Sequence, residues 1–193
     1  MPKPADVTLP SDREVRVTRS FNAPRKLVWD AHTRPDLVRK WQGYDDWDMP
    51  VCEMDVRAGG KYRWKWKHRA DGTEFGFFGT FSEVDAPSRI VHAQYYDAGN
   101  ADFDMPAGDP CIVSLDLSEQ DGVTTLVCTL AFASKEARDG GTDPLPTYPL
   151  VPTQIGPFRA QAVVIELQVP PNFVEQPRLR QAPASVTPAH SSW

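Results

Sequence analysis

Cysteine is scarce in this chain: three among 193 residues, at Cys52, Cys111 and Cys128. They are too few and too scattered for a disulfide framework or a zinc cluster, and apolar neighbours make buried, reduced thiols the expectation. Histidine is nearly as rare. His32, His68, His92 and His190 form no His-x-x-x-His pair, and no Cys-x-x-Cys spacing exists, so no metal site is expected. There is no G-x-S-x-G and no Walker loop; "RAGGK" reads as a turn, and no cofactor is expected. A basic excess is also lacking. The formal net charge of -5 argues against a nucleic-acid partner. No apolar run approaches the length of a membrane span, and "MPKPADVTLPSDR" lacks the apolar stretch of a secretory signal. A cytoplasmic protein without a membrane span is therefore expected.

What the chain does contain is alternation. In "KYRWKWKHR", residues 61–69, basic and aromatic residues take turns. Successive strand side chains point to opposite faces, so Tyr62, Trp64 and Trp66 would share one face and Lys61, Arg63, Lys65 and Lys67 the other, in water. Other period-two segments follow the same logic: "REVRVTR", "VCEMDVR", "EFGFFGTFSEV", "RIVHAQYY", "CIVSLDLSE" and "VTTLVCTLAFA". Short turn signals such as "AGG", "DGT" and "QDG" join most of them, which implies antiparallel pairing. Gly76 and Gly79 suggest bending or close backbone approach within one strand.

Between the first two strands, "NAPRKLVWDAHTRPDLVRKWQGY" reads as two short helices. Pro24 and Pro35 suit first turns, and Thr33 is expected to cap the second helix with Asp36 as partner. Residues 1–11 carry three prolines and little apolar content, and read as a flexible lead-in. After Ala133, "SKEARDG" begins like a helix with Ser134 as cap. Ten of the 19 prolines then lie at or after Pro144. Proline costs about 3 kcal/mol in a helix interior, so residues 141–193 read as an atypical proline-rich tail. Its one proline-free window, residues 158–169, offers a short helix or strand; residues 170–193 read as disordered.

The order of these elements resembles the helix-grip fold of the START-like (SRPBCC) superfamily. Three phrases are similar to its bacterial branch related to the C-terminal domain of the heat-shock-protein-90 ATPase activator: "VTRSFNAPRKLVWDAHTRPDLVRKWQG", "CEMDVRAGGKYRW" and "GTFSEVDAPSRIVHAQYY". The likeness covers roughly residues 12–140. It implies an α+β fold, a curved antiparallel sheet of six to seven strands with two short helices. It also implies a long C-terminal gripping helix, which the proline-rich text after Gly140 does not match; that helix is expected to be missing or replaced. The expected consequence is a marginal monomer, or a homodimer that hides the open face.

Functional expectations rest on the aromatic face. Trp41, Trp64, Trp66, Phe77 and Tyr95 are candidates to line an apolar pocket, and the resemblance implies a cavity that takes a small apolar molecule without evident catalysis. An alternative is a cyclase- or dehydratase-like enzyme with His92 as the first candidate general acid or base and Tyr95 as the second. A further alternative, by fold analogy, is a chaperone-interacting module. Glu53 and Asp55, and the acidic "YDDWD", read as solvated surface.

Overall fold

The computed structural model describes residues 5–42, 46–99, 106 and 108–139. Eight strands form a single antiparallel sheet. They are β1 (Asp6–Ser11), β2 (Glu14–Phe21), β3 (Trp47–Met54), β4 (Lys61–His68), β5 (Glu74–Asp85), β6 (Arg89–Asp97), β7 (Cys111–Gln120) and β8 (Val123–Ala131). The spatial order is β1-β2-β8-β7-β6-β5-β4-β3. From β3 to β8 each strand lies beside its sequence neighbour, as short turns require. The Asp121–Gly122 turn between β7 and β8 has both residues at positive φ, 53° and 76°, the twist that a two-residue hairpin needs.

Helices α1 (Arg25–Thr33) and α2 (Pro35–Trp41) lie between β2 and β3 in the chain. Pro35 explains why there are two. The residue before a proline is pushed out of the helical region, and Arg34 is extended (φ -99°, ψ 119°), ending α1 and preceding α2. The expected Thr33 cap is corrected here. Thr33 Oγ1 donates back to the Trp29 carbonyl at 2.8 Å, and Arg34 takes the cap position with no side-chain hydrogen bond. At the start of α1 the Arg25 N–H donates to the Glu119 carboxylate at 2.8 Å, so a strand side chain caps this helix.

The flexible lead-in is also corrected. Residues 6–11 form β1, pairing Val7 with Val17 and Thr8 with Arg16. Pro10 falls where the register shifts, between Thr8 and Ser11. Proline is tolerated there because β1 is an edge strand with one side unpaired. The sheet therefore has eight strands, not six to seven.

The helices define an inner face. Trp66 Nε1 on β4 donates to the Gln42 carbonyl at the end of α2, 3.0 Å away, and Thr124 Oγ1 on β8 donates to the Ala23 carbonyl before α1, 2.6 Å away. The core lies on this face: Val15 and Val17 from β2, Leu126, Cys128 and Leu130 from β8, Val113 and Leu115 from β7 are all buried. On β4 the alternation is as read. Tyr62, Trp64 and Trp66 are buried while Lys61 and Lys67 are exposed. On the outer basic row, Lys65 and Lys67 both pair with Glu74, at 2.8 and 3.5 Å.

Of the cysteines, Cys52 and Cys128 are buried, and burial pushes the Cys52 thiol up to about 11. Cys111 departs from the expectation. It opens β7 half-buried, because the strand's first residue stands at the sheet margin. After β8, helix α3 (Lys135–Asp139) begins as read, with the Ala137 N–H donating to Ser134 Oγ at 3.0 Å. The expectations for residues 141–193, including the 158–169 element, the missing gripping helix and the disordered end, lie outside the described residues.

Candidate functional site

Strand pairing assembles an aromatic wall on the inner face. Trp64 sits opposite Phe77, Trp66 opposite Phe75, and Phe77 opposite Tyr96. Trp66 stacks on Phe75 with ring centres 5.1 Å apart and planes 11° from parallel; Phe77 meets Trp66 edge-on at 6.0 Å and Tyr96 at 5.8 Å. Trp47 extends the wall from β3, edge-on to Phe75 at 5.0 Å. From the helix side, Trp41 is buried with its indole N–H on the Ala31 carbonyl at 2.8 Å. Four of the five expected pocket residues, Trp41, Trp64, Trp66 and Phe77, are thus buried on the helix side of the sheet.

Tyr95 is not with them. It stacks on Phe78 at 5.5 Å on the outer face and borders a surface hollow of about 440 Å³ with Arg63 and Thr80. The physical reason is parity along β6. His92 and Tyr96 face inward, so Tyr95 faces out. Tyr96 takes the place assigned to it.

His92 is 2% exposed. Its Nδ1 lies 3.0 Å from the Tyr62 hydroxyl, and that hydroxyl is 3.3 Å from the Ala93 carbonyl. Phe81 and Tyr62 present their rings to the imidazole at 5.7 and 4.9 Å. Tyr62 was legible as an inward residue, but its partnership with His92 depends on how β4, β5 and β6 align. Gln94, two residues along β6, is buried on the same face, and Gln42 is buried at the end of α2. A second surface hollow, of about 630 Å³, lies at the far margin beside Arg13, Glu14, Asp109 and Phe132. Glu53 and Asp55 are exposed, and Asp55 pairs with Arg57 at 2.8 Å. Of "YDDWD", Trp47 is buried in β3, while Asp48 pairs with Arg69 at 2.9 Å. Among the described residues no three His, Cys, Asp or Glu side chains gather as a metal site would need, and no helix is long and apolar enough to cross a membrane.

A strand, two short helices and a sequential antiparallel run with an aromatic inner face form an α+β fold of the helix-grip kind. The family described as "Activator of Hsp90 ATPase homolog 1-like protein" matches residues 22–144. The chain belongs to this family. Solved structures agree in fold. A Rhodobacter sphaeroides protein is 26% identical, with a TM-score of 0.61, covering 69% of this chain and 82% of its own. A Mycobacterium smegmatis protein is 25% identical, with a TM-score of 0.59 and the same coverages. An AHSA1-like protein from Aeromonas hydrophila, 20% identical with a TM-score of 0.53, covers 83% of this chain and 92% of its own, a likeness of fold. Among curated proteins no match was found. The family description is compatible with ligand-binding and chaperone-associated roles alike.

Proposed function

We propose that this Hsp90-activator-like domain binds a small apolar molecule between the inner face of its sheet and its helices, in the cytoplasm. The observation that carries the reading is the aromatic wall. Trp64, Trp66, Phe75, Phe77 and Tyr96 stand side by side on one face, with Trp41 on the opposing helix side. Apolar pockets with a few placed polar groups are the usual form of small-molecule sites, and the neutral polar side chains of this face, Tyr62, Gln94 and Gln42, supply the latter. Purified protein is expected to enhance the fluorescence of an uncharged solvatochromic dye such as Nile red, and an apolar competitor is expected to displace it. Native mass spectrometry should then show one ligand mass per chain. A dye signal that no competitor reduces would count against the reading.

One observation favours a second reading, in which the domain is a cyclase- or dehydratase-like enzyme. His92 is buried, inward and hydrogen-bonded to a phenol, as a general base with a proton relay would be. In a dehydration His92 would take the proton α to a carbonyl and return it to the departing β-hydroxyl. A carbon–carbon double bond would form as water leaves. A simple β-hydroxyketone followed by enone absorbance tests this. The reading expects a rate above buffer that His92→Gln abolishes; no rate above buffer retires it.

A further inference from the structure

Two buried polar atoms beside the aromatic wall have no hydrogen-bond partner: the Trp64 indole Nε1 and the Gln42 side-chain oxygen. The residues are 6% and 4% exposed, so bulk solvent does not reach them freely. Buried polar atoms are nearly always paired, and each exception in a folded protein calls for an explanation. Their neighbours make the contrast sharper. Trp41 and Trp66, on the same side of the sheet, both place their indole N–H groups on backbone carbonyls, at 2.8 and 3.0 Å.

The two orphans belong to adjoining elements. The main-chain carbonyl of Gln42 accepts from Trp66, and Trp66 is two residues from Trp64 on the inner face of β4. Trp64 stands between Cys52 and Phe77 in the sheet, against the Tyr62 ring at 4.8 Å. Gln94 lies two strands away on the same face. An indole N–H can only donate, whereas an amide oxygen can only accept.

Resting on the apolar-ligand reading above, we infer that Trp64 Nε1 and the Gln42 amide are the polar anchors of the site. The ligand they select is an uncharged apolar molecule bearing a hydroxyl. A hydroxyl both accepts and donates, so it is the group whose chemistry matches both orphans, whichever way the Gln42 amide is turned. The ligand is uncharged because the buried ions of the described chain stand elsewhere. Arg138 is held by the Ser11 carbonyl and Asp139 beyond β8, and Asp97 accepts from the Gly99 N–H at the end of β6. His92 Nδ1 is already engaged by Tyr62. An ionised ligand would meet no opposite buried charge, which is costly.

Three probes of one shape test this in the full chain: naphthalene, naphthol and naphthoate, titrated by tryptophan fluorescence and calorimetry at neutral pH. Naphthol is expected to bind about tenfold more tightly than naphthalene, the scale of one buried hydrogen bond, with naphthoate weakest. Trp64→Phe and, independently, Gln42→Met should each cut the naphthol-over-naphthalene preference to about twofold, the ratio being read within each variant so that a general change in apolar affinity cancels. Either variant suffices if the other fails to fold. Equal binding of naphthol and naphthalene by the unaltered protein overturns the inference and leaves the apolar reading standing. Tightest binding of naphthoate overturns it too, by pointing to a cationic anchor. Binding of none of the three removes the apolar reading and the inference with it.

Discussion

Replacing Trp66 with alanine is expected to lower the unfolding free energy by about 3–5 kcal/mol, the range for removing a large aromatic side chain from a packed core. Trp66 is fully buried, stacks on Phe75 and meets Phe77 edge-on. It also ties β4 to α2 through its bond to the Gln42 carbonyl. The alanine variant loses all of these and leaves a cavity between sheet and helix. Trp66→Phe separates the contributions. It keeps a ring against Phe75 but leaves the Gln42 carbonyl without its donor, and a buried unpaired acceptor costs about 1–3 kcal/mol. Guanidinium unfolding followed by near-ultraviolet circular dichroism measures both. An alanine variant within about 1 kcal/mol of the parent would mean that the wall does not hold the helix pair to the sheet.

Gly79→Ala is expected to cost about 3 kcal/mol or more, at the upper end of overpacking effects. A Cβ placed at Gly79 would lie 1.8 Å from the Ala93 carbonyl oxygen and 3.2 Å from the Tyr62 ring. The nearest obstacle is backbone, so rotating a side chain cannot relieve it, and β5 and β6 would have to separate. Gly122→Ala is the control. A Cβ there meets nothing within 4 Å, and only the positive φ of 76° opposes it, which costs about 1 kcal/mol. Thermal unfolding of the two variants side by side should show the larger loss at Gly79. Equal losses would mean that conformational freedom, not close approach, is what glycine supplies in β5.

How far the site could be read in advance follows from which signals are local. The inward triplet Tyr62, Trp64 and Trp66 is local, because alternation within one strand fixes it. The paired helices are local too, since Pro35 acts on the residue beside it. Tyr95 failed for a reason already present in the letters. His92 and Tyr95 are three positions apart on one strand, so they face opposite ways, and both cannot line one pocket. The pairing of His92 with Tyr62 is different in kind. It depends on the register of three strands, with a shift between Phe81 and Glu83, and no segment of the sequence states that register. Strand β1 was hidden by Pro10 and the two prolines ahead of it, because composition does not say that a segment will lie at a sheet edge where a missing N–H is tolerated. The unpartnered atoms of Trp64 and Gln42 could be found only once all the other indoles and amides had been given their places.

The pairing of β2 with β8 has a consequence in time. The strands from β3 to β8 join successive neighbours, so each can form a hairpin with the one just made as the chain leaves the ribosome. The β1–β2 hairpin is made first and finds its second neighbour last. Ala23 and Thr124, whose hydrogen bond fastens the start of α1 to β8, are 101 positions apart. Closing so long a loop carries an entropic penalty before any contact rewards it, and such topologies fold slowly. Until β8 emerges, the inner edge of β2 is an unpaired strand bearing Val15 and Val17, open to any other strand that arrives first. The period of greatest vulnerability to misassembly is therefore set by the synthesis of the last strand, and a pause in translation before Val123 would lengthen it.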